Sequence, residues 1–136
     1  MFSRIIYSKK TAVAWTLSIL ILLLLPGGSF HKEGLMGIPH MDKLVHFFLF
    51  GVFVVLWYLS LTNGVTSTFQ NTLAVQLFLV SAIFGTSMEF VQGLFTTREF
   101  EVPDILADIA GAGTGWLWLR YGKRKSPYGN RGRNQN

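Results

Sequence analysis

Four apolar segments of 15 to 20 residues, separated by short polar connections, constrain this chain more than any other feature of its sequence. A helix needs about 20 residues to cross a bilayer, within a range of roughly 17–25. The last three segments meet this length, and the first does so if Lys9 and Lys10 extend their side chains toward the interface. The pattern predicts an all-α polytopic membrane protein with four transmembrane helices. The predicted helices cover residues 11–25, 44–61, 72–91 and 103–121.

The composition supports the same fold class. Only 14% of the 136 residues are charged and half are hydrophobic, whereas a soluble domain carries about 25% charged residues. The deficit indicates an apolar surface that faces lipid. Cysteine is absent, which excludes disulfides, thiolate metal sites and cysteine nucleophiles. The length suits a single domain.

The first segment has a second interpretation. Basic residues followed by an apolar run of 15 residues resemble a secretory signal peptide. A signal peptide ends in a small-x-small cleavage site, whereas residues 26–31 read Pro-Gly-Gly-Ser-Phe-His. We therefore favour an uncleaved first helix.

The basic residues are distributed unevenly. Nine of the 12 Lys and Arg lie in residues 1–10 or from Arg120 onward, and the 62–70 connection has none. Four spans place these three stretches on one side, so the positive-inside rule predicts that both termini are cytoplasmic. Basic residues confined to terminal flanks, with no recognised nucleic-acid motif, predict no nucleic-acid partner. We divide the chain into a basic N-terminus (1–10), a four-helix membrane domain (11–121) and a basic, disordered tail (122–136).

Polar residues gather at the end of the predicted bundle that this topology places outside the cytoplasm. The second helix starts there, the third ends there and the fourth starts there. Each helix carries polar residues spaced i,i+3 or i,i+4, which share one helical face. The loop with Arg98, Glu99 and Glu101 lies above them. The candidate pocket residues are Asp42, Lys43, His46, Glu89, Gln92, Arg98, Asp104 and Asp108.

Most of these residues also have a structural interpretation. Asp42 and Asp104 lie near helix starts, where a carboxylate can cap free N–H groups. His46 could form a single hydrogen bond between helices, and Arg98 could pair with a neighbouring loop carboxylate. Glu89 and Asp108 are the hardest to explain in this way, because each has apolar residues on both sides. Intramembrane carboxylates are by default candidates for function.

The same residues resemble the VanZ-like family. The motifs are Asp42-Lys43-x-x-His46, Glu89-x-x-Gln92 and a third that runs from Arg98 through Phe100, Asp104 and Asp108 to Gly111. The resemblance implies a small multi-pass protein of the bacterial cytoplasmic membrane, in a family associated with teicoplanin resistance and without an agreed mechanism. The chain departs from the family at Asp108, where members often carry Asn, and near Phe50, where an aromatic residue with a hydroxyl is common.

The sequence is compatible with three functions. In the first, the pocket binds a lipid headgroup or a lipid-linked cell-wall precursor, or changes access of a glycopeptide to it. In the second, the carboxylates and His46 form a metal site or acid–base pair of a membrane hydrolase or transferase. In the third, the polar groups only connect helices. We favour the first and lean against an enzyme. The sequence assigns no catalytic residue, no metal-ligand set and no cofactor, and it leaves the oligomeric state open.

Overall fold

The computed structural model describes residues 5–25, 40–62, 68–96 and 98–122. Within these ranges the chain forms four helices and no strand, which confirms the all-α prediction. The tail predicted to be disordered lies outside the described residues, as does most of the first connection, including His31 and Lys32. The helices are α1 (Lys9–Leu24), α2 (Met41–Thr62), α3 (Thr68–Phe95) and α4 (Val102–Tyr121).

The helix ends follow local sequence signals. The Ser8 hydroxyl accepts a hydrogen bond from the Lys10 N–H at 3.2 Å and caps α1. Pro103 lies in the first turn of α4, where its missing N–H costs no helical hydrogen bond. α3 extends four residues beyond the predicted range at each end, so Gln92 as well as Glu89 lies within it.

Two of the helices are long and apolar enough to cross a membrane, judged by length and composition alone. They are Met41–Thr62, which is α2, and Asn71–Phe95, which is most of α3. α1 has only 16 residues. α4 has 20, but its two aspartates and its small residues lower its mean hydropathy. Composition thus supports two of the four predicted spans.

Glycines bring α2 and α4 into backbone contact. These helices run parallel and form the most extensive helix–helix contact in the described bundle. Gly111 packs against the Phe47 carbonyl, and a Cβ atom built on Gly115 would lie 2.6 Å from the Gly51 oxygen. Small residues allow such an approach between helices. The glycines explain why α2 contacts α4 more extensively than it contacts α3, its neighbour along the chain.

Side chains attach α1 to this framework. The Trp15 indole N–H donates to the Leu49 carbonyl oxygen at 3.0 Å, and the Trp57 indole N–H donates to the Thr16 hydroxyl at 3.0 Å. α1 and α3 therefore end where α2 and α4 begin. We call this the polar end of the bundle, because a group of charged residues lies there.

Candidate functional site

Lys43 joins the starts of α2 and α4 at the polar end. Its Nζ atom lies 3.2 Å from Asp42 Oδ2, 2.8 Å from Glu101 Oε2 and 3.0 Å from Asp104 Oδ1. The Glu101 side chain is about half exposed, whereas that of Asp104 is 4% exposed. One ammonium group therefore connects solvent-exposed carboxylates to a buried one.

Below Lys43, a histidine and three carboxylates are almost completely buried. His46 Nδ1 lies 2.9 Å from Asp108 Oδ1 and 3.9 Å from Glu89 Oε1. Its other ring nitrogen, Nε2, lies 3.9 Å from Asp104 Oδ2. All four residues are 3% exposed or less. We use the name polar cluster for Asp42, Lys43, His46, Glu89, Glu101, Asp104 and Asp108.

The backbone positions two of the buried carboxylates. Glu89 Oε2 accepts a hydrogen bond from the Glu101 N–H at 3.2 Å, which ties α3 to the start of α4. Asp108 packs against Gly85 of α3, where an added Cβ atom would lie 2.6 Å from Asp108 Oδ2. Gly85 thus provides the space that the Asp108 carboxylate occupies.

Several buried polar atoms in the described residues have no hydrogen-bond partner. Within the polar cluster these are His46 Nε2, Glu89 Oε1 and Asp108 Oδ2, and Ser81 Oγ is a fourth atom deeper on α3. An unpaired buried polar atom costs roughly 1–3 kcal/mol, so such atoms in a native structure need an explanation. A network that only connected helices would leave few of them.

The structure brings six of the eight predicted pocket residues into the polar cluster. The Gln92 amide nitrogen donates instead to the Leu23 carbonyl oxygen at 2.8 Å. This carbonyl lies in the last turn of α1, where helical partners are missing, so Gln92 fastens α1 to α3. The Arg98 guanidinium makes no hydrogen bond or ion pair with the described residues; its backbone N–H donates to the Thr96 hydroxyl at 3.1 Å.

In the structure, the Asp104 side chain does not cap the start of α4. The Asp104 carboxylate bonds to Lys43 of another helix, and only its backbone N–H bonds to Glu101, the residue that precedes α4. Two members of the site were missed from the sequence. The sequence placed Glu101 only in the loop above the pocket. No motif marked Gly85, which lies one turn before Glu89 on α3.

Two groups of side chains have the ligand types and spacing to hold a metal ion. One consists of His46, Glu89 and Asp104, all buried, and the other of Asp42, Glu101 and Asp104. In each group, one ligand atom per residue lies within 4.8 Å of the others. The Lys43 ammonium contacts all three carboxylates of the second group, which therefore already has a cation.

Comparison with known proteins identifies the family. A family model described as VanZ/LLP1 matches residues 2–122. A protein of Schizosaccharomyces pombe, described as uncharacterized, is 31% identical over 111 residues, which are 80% of this chain and 65% of that protein. The chain thus spans just under two thirds of that relative's length. No solved structure matches. The family match confirms the resemblance seen in the motifs, and the chain belongs to the VanZ/LLP1 family.

Proposed function

We propose that this protein is an integral membrane protein with four spans that binds a membrane lipid at its polar end. Large apolar side chains point outward on every helix, and Ile21, Phe48, Ile83 and Leu106 are 61–68% exposed. Soluble monomers rarely expose apolar surface on this scale. A bilayer would cover this apolar surface on α1 and α4, as well as on the two helices whose composition identifies them as membrane spans.

The orientation follows from charge. The basic flanks favour cytoplasmic termini, so the polar end faces away from the cytoplasm, and in a bacterial cell the membrane is the cytoplasmic one. Arg98 and the half-exposed Glu101 then face the aqueous boundary, where lipid headgroups lie. Within the described residues, the Arg98 guanidinium forms no hydrogen bond or ion pair.

An apolar groove between α2 and α4 supports a lipid as the ligand. It has a volume of about 360 Å³, and lipid chains are its natural occupant in a membrane. Thr114 lies on its exposed edge. The groove is lined by Phe47, Phe48, Gly51, Val52, Val55, Gly111, Thr114, Gly115 and Trp118.

The groove and the polar cluster are adjacent along α2, and this is the observation that carries the proposal. Lys43 of the polar cluster lies one helical turn before Phe47, which lines the groove. On α4, Asp104 precedes Gly111 by two turns on the groove side. A lipid with its acyl chain in the groove would place its headgroup beside Lys43 and Asp104.

The charges favour a particular headgroup chemistry. Carboxylates outnumber cations in the polar cluster, and Lys43 already contacts three of them. A headgroup amine or hydroxyl suits Asp42 and Glu101. The Arg98 guanidinium, which forms no ion pair within the described residues, suits a phosphate.

A lipid-linked cell-wall precursor is one specific kind of membrane lipid that would suit this site, and a glycopeptide is a second specific ligand. Changed glycopeptide susceptibility would then follow from binding at the polar end. The second candidate function is a membrane hydrolase or transferase in which the carboxylates and His46 serve as metal ligands or as an acid–base pair. A purely structural network is disfavoured by the unpartnered buried atoms.

Photocrosslinking tests the proposal. The protein is placed in vesicles with a phospholipid that carries a photoreactive group on one acyl chain, and the labelled residues are mapped by mass spectrometry. Thr114→Trp fills the groove, whereas Ile83→Trp changes an equally lipid-facing position on α3. We expect strong labelling of Val52 and Val55 that Thr114→Trp abolishes and Ile83→Trp preserves. Equal labelling in the three proteins would contradict a lipid site in the groove.

The headgroup is examined in the same preparation. Lipids that remain bound through purification are extracted and compared between the wild type and Thr114→Trp. Enrichment of a lipid-linked cell-wall precursor in the wild type alone would narrow the ligand to that class, and enrichment of an ordinary phospholipid alone would exclude it.

A further inference from the structure

We propose that His46, Glu89 and Asp104 form a binding site for a divalent transition-metal ion such as Zn²⁺. The proposal does not depend on lipid binding, because protein side chains alone make the site. It adds a ligand set that the sequence did not reveal. We call these three residues the inner triad.

The inner triad draws one residue from each of three helices. His46 comes from the start of α2, Glu89 from the end of α3 and Asp104 from the start of α4. One ligand atom of each lies within 4.8 Å of the others, and the three residues are 1%, 1% and 3% exposed. Because the helices are held together elsewhere by packing, the ligands are assembled before any ion arrives.

Each residue uses one polar atom for an orienting contact and leaves the other available. His46 Nδ1 is hydrogen-bonded to the Asp108 carboxylate, Glu89 Oε2 to the Glu101 N–H, and Asp104 Oδ1 to the Lys43 ammonium group. The atoms left over are His46 Nε2, Glu89 Oε1 and Asp104 Oδ2. Two of them, on His46 and Glu89, are buried without any partner.

The contact with Asp108 sets the chemistry of the histidine. A carboxylate accepts hydrogen bonds, so we assign the ring proton of neutral His46 to Nδ1, and Nε2 then presents a lone pair. Metal-binding histidines characteristically donate their second ring N–H to a carboxylate or a carbonyl, which fixes the tautomer and raises the basicity of the ligand atom. Asp108 is therefore a positioning residue for the site.

The spacing and the donor set fit a transition metal. Zinc bonds to histidine nitrogen and carboxylate oxygen are about 2.0–2.2 Å long, so two ligands on a tetrahedral ion lie about 3.4 Å apart. His46 Nε2 and Asp104 Oδ2 are 3.9 Å apart, so binding requires them to approach by about 0.5 Å. Imidazole suits zinc, and carboxylates accept it readily. Three protein ligands leave a fourth position for water or a headgroup oxygen.

Charge also favours an ion here. Burying an unpaired carboxylate is costly, and Lys43 contacts only Asp104 among the three buried carboxylates, on its Oδ1 atom. A divalent cation between Glu89 and Asp104 would compensate both and would occupy the lone pair on His46. The other candidate group differs, because Lys43 already supplies its cation.

Metal counting on the purified full-length chain tests the site. The protein carries an affinity tag without histidine, is treated with EDTA, dialysed against Zn²⁺ and analysed by mass spectrometry for metal per chain. We expect about one zinc per wild-type chain and at least about a tenfold loss of affinity in His46→Gln and in Glu89→Gln. His40→Gln is a matched control outside the polar cluster and should keep the wild-type stoichiometry.

Stability provides a second measurement that needs no variant. Zinc that binds the folded chain should raise the thermal unfolding midpoint of the wild type above its value in EDTA. A wild type with neither stoichiometric zinc nor this rise would overturn the proposal, as would zinc retained in full by His46→Gln. Lipid crosslinking repeated in EDTA separates the two proposals, because loss of zinc alone leaves the groove intact.

Discussion

At the scale of single residues, the arrangement around Lys43 shows how a charged group is retained in an apolar protein. Its ammonium group contacts Asp42, Glu101 and Asp104, of which only Asp104 is buried. Removing one partner of a buried pair leaves an uncompensated charge and is strongly destabilising, whereas removing both can be nearly neutral. Lys43 therefore matters chiefly because Asp104 is present.

Replacing Lys43 tests this coupling. Lys43→Met keeps the length of the side chain but leaves Asp104 without its cation, and we expect a loss of about 2 kcal/mol in the free energy of unfolding. The double variant Lys43→Met/Asp104→Asn should recover most of that loss. Unfolding in a mild detergent, followed by tryptophan fluorescence, measures both. Additive losses in the double variant would show that the two side chains act independently.

Helix periodicity predicted much of the residue-level site. Asp42 and His46 are i,i+4, as are Asp104 and Asp108, so each pair could be placed on one face and at one end of its helix. Glu101 could not be placed in this way because it precedes α4. The partner of Gln92 could not be predicted either, because it depends on how α1 packs against α3.

At the scale of helices, the contact between α2 and α4 positions the site. Gly51, Gly111 and Gly115 bring the two backbones together just beyond His46 and Asp108. Side chains on the adjoining turns are thereby held within hydrogen-bond distance of each other. Gly111 and Gly115 are spaced i,i+4 on α4, which is typical of a close contact between helices. This spacing does not indicate which helix approaches, so the sequence could not identify α2 as the principal partner of α4.

Two glycines on α4 form a matched pair for testing this contact. A Cβ atom on Gly111 would collide with the Phe47 carbonyl, whereas one on Gly113 would meet Phe78 at an ordinary 3.7 Å. We expect Gly111→Ala to lower the free energy of unfolding by about 2–3 kcal/mol through overpacking. Gly113→Ala should raise it by about 0.5–1 kcal/mol through the higher helix propensity of alanine. The unfolding assay used for Lys43 measures both, and equal effects would contradict backbone contact at Gly111.

At the scale of the whole molecule, charge separates the two ends of the bundle. The described polar cluster occupies one end, and Arg120, at the other, lies over the Trp116 ring with its guanidinium carbon 5.6 Å from the ring centre. Aromatic and basic residues at a helix end are typical of a membrane interface. The all-α architecture was predictable because long apolar segments have few alternatives. Among the described helices, composition supports two of the four predicted spans, because α4 has the aspartates and glycines of the site where a typical span has apolar residues.

Cysteine labelling tests the proposed topology, and the natural absence of cysteine makes every introduced thiol unique. Glu99→Cys lies at the polar end and Gly122→Cys at the opposite end, just after α4. In intact cells, we expect a membrane-impermeant maleimide to label position 99 and to label position 122 only after the membrane is permeabilised. The reverse pattern would place the polar cluster on the cytoplasmic side.

The parallel contact between α2 and α4 has a consequence for biosynthesis. The ribosome completes Lys43 and His46 about 60 residues before Asp104 and Asp108, their hydrogen-bond partners on α4. Glu89 is also translated before Glu101, from whose backbone N–H it accepts a hydrogen bond. α4 is translated after α1, α2 and α3, and its carboxylates complete the contacts of Lys43 and His46. In a nascent chain halted before Glu101, Lys43 has only Asp42 among its three carboxylate partners, and His46 and Glu89 lack the hydrogen bonds that Asp108 and the Glu101 N–H later provide.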